Sequence, residues 1–76
     1  MKNEGYVIKS YLVTSKGTLE YFLGKDSIWY VAANDCHFKT LKEARRFFKT
    51  SNHELRGSAI WIEGPRGGIH SLFGDL

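Results

Sequence analysis

The sequence predicts an α+β domain: one antiparallel sheet of about five strands with one helix packed on one face, in the order β-β-β-α-β-β. Three observations predict it. Only one stretch, residues 38–49, spaces its apolar side chains with a helical period. Short segments rich in β-branched and aromatic residues precede and follow that stretch, and clusters of Gly, Pro, Asn and Asp separate them. The length of 76 residues corresponds to a single domain spanning residues 1–76.

The first half of the chain predicts three strands joined by two short turns. Residues 5–14, 18–23 and 27–33 are rich in aromatic and β-branched types. The connections at residues 15–17 and 24–26 each contain a glycine, which can adopt the positive φ of a tight turn. Short connections favour neighbouring strands, so we expect these three to form an antiparallel meander.

The helix is predicted from its start signal and from its two unlike sides. Thr40 can accept a hydrogen bond from the first turn, and Glu43 can reach back to Thr40, which would complete a capping box. We expect the helix to end near Ser51. At about 100° per residue, the apolar side chains fall on one side of the helix and the basic ones on the other. The apolar side comprises Leu41, Ala44, Phe47 and Phe48, and the basic side comprises Lys42, Arg45, Arg46 and Lys49.

Two further strands are predicted after the helix, at residues 58–63 and 69–73, joined by the Gly- and Pro-rich turn at residues 64–68. One helix can cover only one face of a sheet. Apolar residues occupy both alternating sets of positions in the later strands, so we expect some rings on the uncovered face. Trp61 and Tyr30 are the candidates to anchor a contact surface or a dimer interface there. Alternatively, loops or the first strand cover that face.

Positive charge is concentrated on the helix and the loop after it. Residues 39–56 hold six Lys and Arg against two Glu, although the whole chain carries only +3. Cations four residues apart on a helix repel each other, and only Glu43 with Arg46 offers local compensation. This pattern favours contact with phosphates or with an acidic protein surface. The alternative is a solvated face that maintains solubility. The candidate cations are Lys42, Arg45, Arg46, Lys49 and Arg56, with Arg66 at the tip of the last turn.

The sequence does not indicate an enzyme, a metal site or a cofactor. Cys36 and His37 are adjacent, His53 and His70 are distant in sequence, and the acidic residues are dispersed. Zinc sites need about four ligands at recognisable spacing, and a cysteine nucleophile needs a base held beside it. A single cysteine excludes an intramolecular disulfide and favours a reducing compartment. With no apolar run of about 20 residues, we expect a cytoplasmic protein.

The element order resembles that of small phage-encoded accessory proteins, including some anti-CRISPR proteins. The resemblance is carried by the helix opening Leu41-Lys42-Glu43-Ala44-Arg45 and by the segment GSAIWIE at residues 57–63 with the Gly-rich turn after it. It implies a non-catalytic inhibitor that covers the surface of a protein or ribonucleoprotein in the cytosol of the host. The resemblance assigns no functional residue.

Three functions therefore remain open from the sequence. The first is an inhibitor or regulator that docks on a protein or ribonucleoprotein through the helix cations and an aromatic anchor. The second is a small nucleic-acid-binding domain whose cations contact phosphates while Arg66 enters a groove. Base stacking on Trp29, Tyr30 and Trp61 is less favoured, because the neighbouring strand residues are expected to offer no cation. The third is a structural homodimer formed through the open sheet face or a sheet edge.

Overall fold

The computed structural model describes residues 5–54, 57 and 59–72. Within them, five strands and one helix follow the predicted order, which confirms the α+β fold. The strands form one open antiparallel sheet in the spatial order β3-β2-β1-β4-β5. The elements are β1 (Val7–Thr14), β2 (Gly17–Leu23), β3 (Trp29–Tyr30), α1 (Leu41–Thr50), β4 (Ala59–Glu63) and β5 (Ile69–His70).

The longest strand, β1, lies at the centre of the sheet. On one side it pairs with β2, with Lys9 opposite Phe22, and on the other with β4, with Ile8 opposite Ile62. The strands β1, β2 and β3 form the expected meander, while β4 and β5 form a separate hairpin. The chain therefore adds β4 beside its first strand after the helix, and both outermost strands are short.

Strand ends differ from the prediction where turns interrupt the chain. The third strand has two residues and not seven, because Ser27 adopts a φ of 70° and the chain leaves the sheet after Tyr30. Val31, predicted inside that strand, is 78% exposed. The first strand begins at Val7 and not at Gly5, whose φ is 136°. The fifth strand ends at His70, residues 71 and 72 lie outside the sheet, and position 73 of its predicted span lies outside the described residues.

The hydrophobic core lies between α1 and one face of the sheet. Ile8, Leu23 and Ile62, one from each of three neighbouring strands, are fully buried, and α1 contributes Ala44 and Phe48. Because side chains alternate along a strand, the residues between these core positions point to the opposite face. The helix thus determines which face is covered and which is open.

The predicted helix cap forms, with one difference in its second half. The Thr40 hydroxyl accepts a hydrogen bond from the Glu43 N–H at 3.0 Å. The Glu43 carboxylate accepts from the Lys39 N–H at 3.0 Å, and not from Thr40 as expected. Phe38 forms a backbone bridge to Tyr6, and this holds the entering chain so that the Lys39 amide meets the carboxylate. The helix ends at Thr50, close to the predicted end, and Ser51 caps it, with the Ser51 N–H donating to the Phe47 carbonyl at 2.8 Å.

No helix among the described residues has the length and apolar character that crossing a bilayer requires. The ten-residue α1 falls well short of the span of about 20 residues that a membrane helix needs.

Candidate docking surface

The outer side of α1 presents three exposed cations in one line. Lys42, Arg46 and Lys49, here called the basic helix face, are separated by four and then three residues. That spacing stacks side chains on one side of a helix, over a length of about 10 Å at 1.5 Å per residue. Within the described residues, the ion pairs all involve Lys9, so no described carboxylate neutralises this stripe. The field of the three cations therefore extends into solvent.

Glu43 does not provide the compensation for Arg46 that the sequence suggested. Its carboxylate accepts the Lys39 N–H at 3.0 Å and forms no ion pair with Arg46 within 4.0 Å. The acid acts at the start of the helix, where a negative charge also complements the helix dipole. The repulsion between Lys42 and Arg46 is thus not offset by an ion pair among the described residues.

Arg45 has a different role from the other helix cations. It is only partly exposed, and its guanidinium Nε donates to the Ser71 carbonyl at 2.9 Å. This hydrogen bond joins the helix to the segment that leaves β5. Arg45 was predicted as a partner-binding cation with the basic helix face, but the structure places it at the edge of that face in a structural contact.

A groove runs beside the basic helix face, between α1 and the turn before β3. Its volume is about 330 Å³, and a separate cavity of about 390 Å³ lies on the β3 side of that turn. The groove beside α1, here called the helix groove, is lined by Lys25, Phe38, Glu43, Arg46, Phe47 and Thr50. The Phe38 and Phe47 rings lie 5.2 Å apart at its floor, and the Lys25 ammonium lies 5.4 Å from the Phe38 ring centre.

The open face of the sheet carries the two predicted aromatic anchors. Strand alternation places Tyr30 and Trp61 there, opposite the core residues beside them. Trp61 is partly buried against Tyr11, with ring centres 5.7 Å apart, and its indole N–H has no hydrogen-bond partner among the described residues. Tyr30 is exposed, and its hydroxyl donates to the Asp26 carboxylate. That hydrogen bond lowers the pKa of Asp26 and raises the pKa of Tyr30. Association through this face stays a prediction.

The expectation that no cation lies near these rings is wrong. Lys9 pairs across the strands with Trp61 and Phe22, and its ammonium lies 5.7 Å from the Phe22 ring centre. It also pairs with Glu63 at 2.9 Å and Glu20 at 3.4 Å. Burial lowers the pKa of Lys9, but the Glu63 hydrogen bond and the charges of both glutamates outweigh it and raise that pKa. The positive charge of Lys9 is therefore neutralised by glutamates on the two strands beside it.

The remaining candidate cations lie apart from α1 in sequence. Arg66 is exposed in the turn between β4 and β5, where the Gly67 N–H donates to the Gly64 carbonyl at 3.0 Å. The structure thus shows the expected tight turn with an exposed arginine. Arg56 lies outside the described residues.

The single thiol is buried in the loop before the helix. Cys36 is 1% exposed, and its sulfur lies 3.5 Å from the Asn34 carbonyl oxygen. Burial is the main cause of its raised pKa, and a raised pKa disfavours the reactive thiolate. Among residues 5–54, 57 and 59–72, no three His, Cys, Asp or Glu side chains are grouped to hold a metal ion.

The segment after α1 packs more closely than the sequence indicated. The His53 ring lies 4.6 Å from the Phe48 ring centre and 6.1 Å from that of Trp29, and its Nδ1 is hydrogen-bonded to the Ser51 hydroxyl. The Trp29 indole donates to the Glu54 carbonyl at 2.6 Å. Burial lowers the pKa of His53. No local sequence signal indicates these contacts.

Comparison with known proteins identifies no relative. No family model, no curated protein and no solved structure matches the chain.

Proposed function

We propose that the chain is a non-catalytic binding module that docks through the basic helix face on an acidic surface of a protein or ribonucleoprotein. By the resemblance of its element order to phage accessory proteins, it would inhibit or regulate that partner in the cytoplasm by covering its surface. The main supporting observation is the stripe of Lys42, Arg46 and Lys49, which is exposed and which no described carboxylate neutralises. Such a stripe costs a few tenths of a kcal/mol per like-charge pair, and an acidic partner would offset that cost.

The neighbourhood of the stripe favours a protein surface over a bare phosphate backbone. The helix groove beside it combines an aromatic floor with the cations Lys25 and Arg46. Protein interfaces combine an apolar centre with a charged rim, whereas phosphate contacts need charge alone. The modest net charge of +3 also fits a localised docking patch better than a surface that follows a nucleic acid.

The decisive experiment reverses charge on the stripe and away from it. Immobilised chain is incubated with a lysate of the source host, before and after nuclease treatment. We expect one specific protein to be captured and to be lost with K42E/R46E. The control K16E/R66E makes the same change of net charge at two exposed turn cations outside α1 and should retain capture. Arg45 is left unchanged because its contact with Ser71 supports the fold.

Two results would contradict the proposal. Equal capture by wild type and K42E/R46E would show that the stripe only maintains solubility. Equal loss with K16E/R66E would show that the stripe is not the particular docking surface, because capture would then depend on net charge or on Arg66.

A second candidate, nucleic-acid binding, is favoured by the alignment of the three cations, which could follow neighbouring phosphates. It predicts retardation of arbitrary DNA or RNA in a gel, weakening steeply with salt, and loss of retardation with K42E/R46E. Capture that nuclease abolishes would support this candidate. Absence of any retardation at low salt would exclude it.

A further inference from the structure

The helix groove has the chemistry of a site for an acidic chain that also carries an apolar side chain. Its floor consists of the partly exposed Phe47 ring and of Phe38, which is 4% exposed. Its rim carries Lys25 on the turn before β3 and Arg46 on α1. The volume of about 330 Å³ is at the lower end of ligand sites, which suits one large side chain and its neighbours.

The charges at the rim select an anion. Lys25 and Arg46 form no ion pair with a described carboxylate, while the one acid at the rim, Glu43, accepts the Lys39 N–H. Lys42 and Lys49 add positive potential from the same helix. A purely apolar ligand would leave the cations unpaired, and a bare anion would leave the aromatic floor uncovered.

We propose that the helix groove binds an acidic peptide segment of the partner, with one aromatic side chain on the Phe47 floor and flanking carboxylates on Lys25 and Arg46. This inference rests on the proposed function, since the groove adjoins the basic helix face. It adds the partner's chemistry: an exposed segment in which an aromatic residue lies between acids.

The test uses two labelled peptides, DEDFDED and DEDADED, whose binding is measured by fluorescence anisotropy at low salt. They have the same charge and differ in the aromatic side chain alone. We expect the phenylalanine peptide to bind wild type at least tenfold more tightly, which equals about 1.4 kcal/mol. K25E should weaken the binding of both peptides. The matched charge reversal K16E, in the turn between β1 and β2, should weaken the binding of each peptide much less.

A variant that fills the groove without changing its charge separates the contribution of the aromatic floor to peptide binding from that of the charged rim. Thr50 is exposed at the end of α1 and lines the groove, so T50W should remove the preference for phenylalanine and leave the alanine peptide unaffected. T50A keeps the groove open and should retain the preference. Circular dichroism confirms that each variant is folded, and R46M provides a second test if T50W is not, because it should weaken both peptides.

The outcomes distinguish this inference from the proposed function. Equal affinity of the two peptides for wild type, or a preference that survives in T50W, would overturn the helix groove site and leave the basic helix face intact. Capture of the host protein that K42E/K49E does not reduce would overturn the proposed function itself, because these two cations belong to the basic helix face and lie outside the groove lining.

Discussion

The two faces of the sheet achieve order in different ways. On the helix-covered face, Ile8, Ser10 and Ile62 are completely buried and side-chain packing dominates. On the open face, the neighbouring position Lys9 is held by glutamates on both flanking strands. Burial of a large aliphatic side chain contributes more free energy than a partly exposed ion pair. Stability should therefore depend mainly on the covered face, which leaves the open face and the outer side of α1 able to change for recognition.

The largest expected difference between the faces comes from removing aliphatic volume. Ile62, fully buried, packs in the core, whereas Ile69 on β5 is 69% exposed. We expect I62A to lower the free energy of unfolding by about 2–5 kcal/mol and I69A to change it by less than about 0.5 kcal/mol. Urea denaturation measures both values. Should I62A fail to fold, I62V, with an expected loss of about 1 kcal/mol, provides the measurement.

Similar losses in I62V and I69A would contradict this assignment of faces. That result would mean that β4 is turned by one residue relative to the core, since a one-residue slip exchanges the two faces of a strand.

The next effect concerns a glycine that closes over the covered face beyond the end of α1. Gly57 has a φ of 94°, and a Cβ placed there would lie 2.1 Å from the Ser10 hydroxyl oxygen. Gly67, with a φ of 85°, has no atom of the described residues within 4 Å of such a Cβ. Both G57A and G67A incur backbone strain of about 1 kcal/mol or more, and G57A adds the clash. Thermal unfolding should show the lower midpoint for G57A, and equal midpoints would mean that Gly57 does not pack on Ser10.

The sequence predicted the features that depend on local patterns. The helix and its caps follow from Thr40, Glu43 and the spacing of apolar residues, because a capping residue and its partner lie within one turn. The first two strands follow from runs rich in aromatic and β-branched residues, with short glycine-containing turns between them. In these segments local preference and tertiary packing agree, which is the condition under which pattern analysis succeeds.

The features that the sequence did not predict depend on distant contacts. Lys9 reaches Glu63 and Arg45 reaches Ser71 only after β4 and β5 have added to the sheet. The third strand is short because the chain turns at Ser27 and leaves the sheet after Tyr30, although its composition is typical of a longer strand. The helix groove likewise requires the turn at Lys25 to meet α1, a contact that spacing along the chain does not encode.

The ion pairs of the open face predict a moderate effect. We expect K9M to lower the free energy of unfolding by about 1 kcal/mol, because the glutamates it leaves are partly exposed and can be hydrated. The raised pKa of Lys9 adds a pH dependence. Stability from this cation is fully present below the ordinary lysine pKa of 10.5 and is lost as pH rises through the higher folded value.

Tyr30 has to be separated from Lys9 in that experiment, because its pKa is also raised and its contribution is likewise lost at alkaline pH. Denaturation at neutral and alkaline pH is therefore compared for wild type, K9M and Y30F. We expect the free energy of unfolding to fall less between neutral and alkaline pH in each variant than in wild type. A decline in K9M identical to that of wild type would show that the ammonium contributes no pH-dependent stability to the open face.

The smallest expected effect lies at the rim of the covered face, where His53 packs on Phe48 and Trp29. Burial lowers its folded pKa below the ordinary 6.5, so the unfolded chain takes up the proton more readily. The stability that neutral His53 contributes is fully present above pH 6.5 and is lost as pH falls through 6.5 to the folded pKa.

We expect H53F, which keeps a ring, to reduce this loss of stability at low pH, and H37Q to show the same loss as wild type. Thermal midpoints measured between neutral pH and about pH 5 test this, since His titrates in that range. Equal falls in the thermal midpoints of wild type and H53F with decreasing pH would contradict this. They would mean that the imidazole is as well hydrated in the folded chain as in the unfolded one, so that Phe48 and not His53 would be the last buried ring at this edge of the covered face.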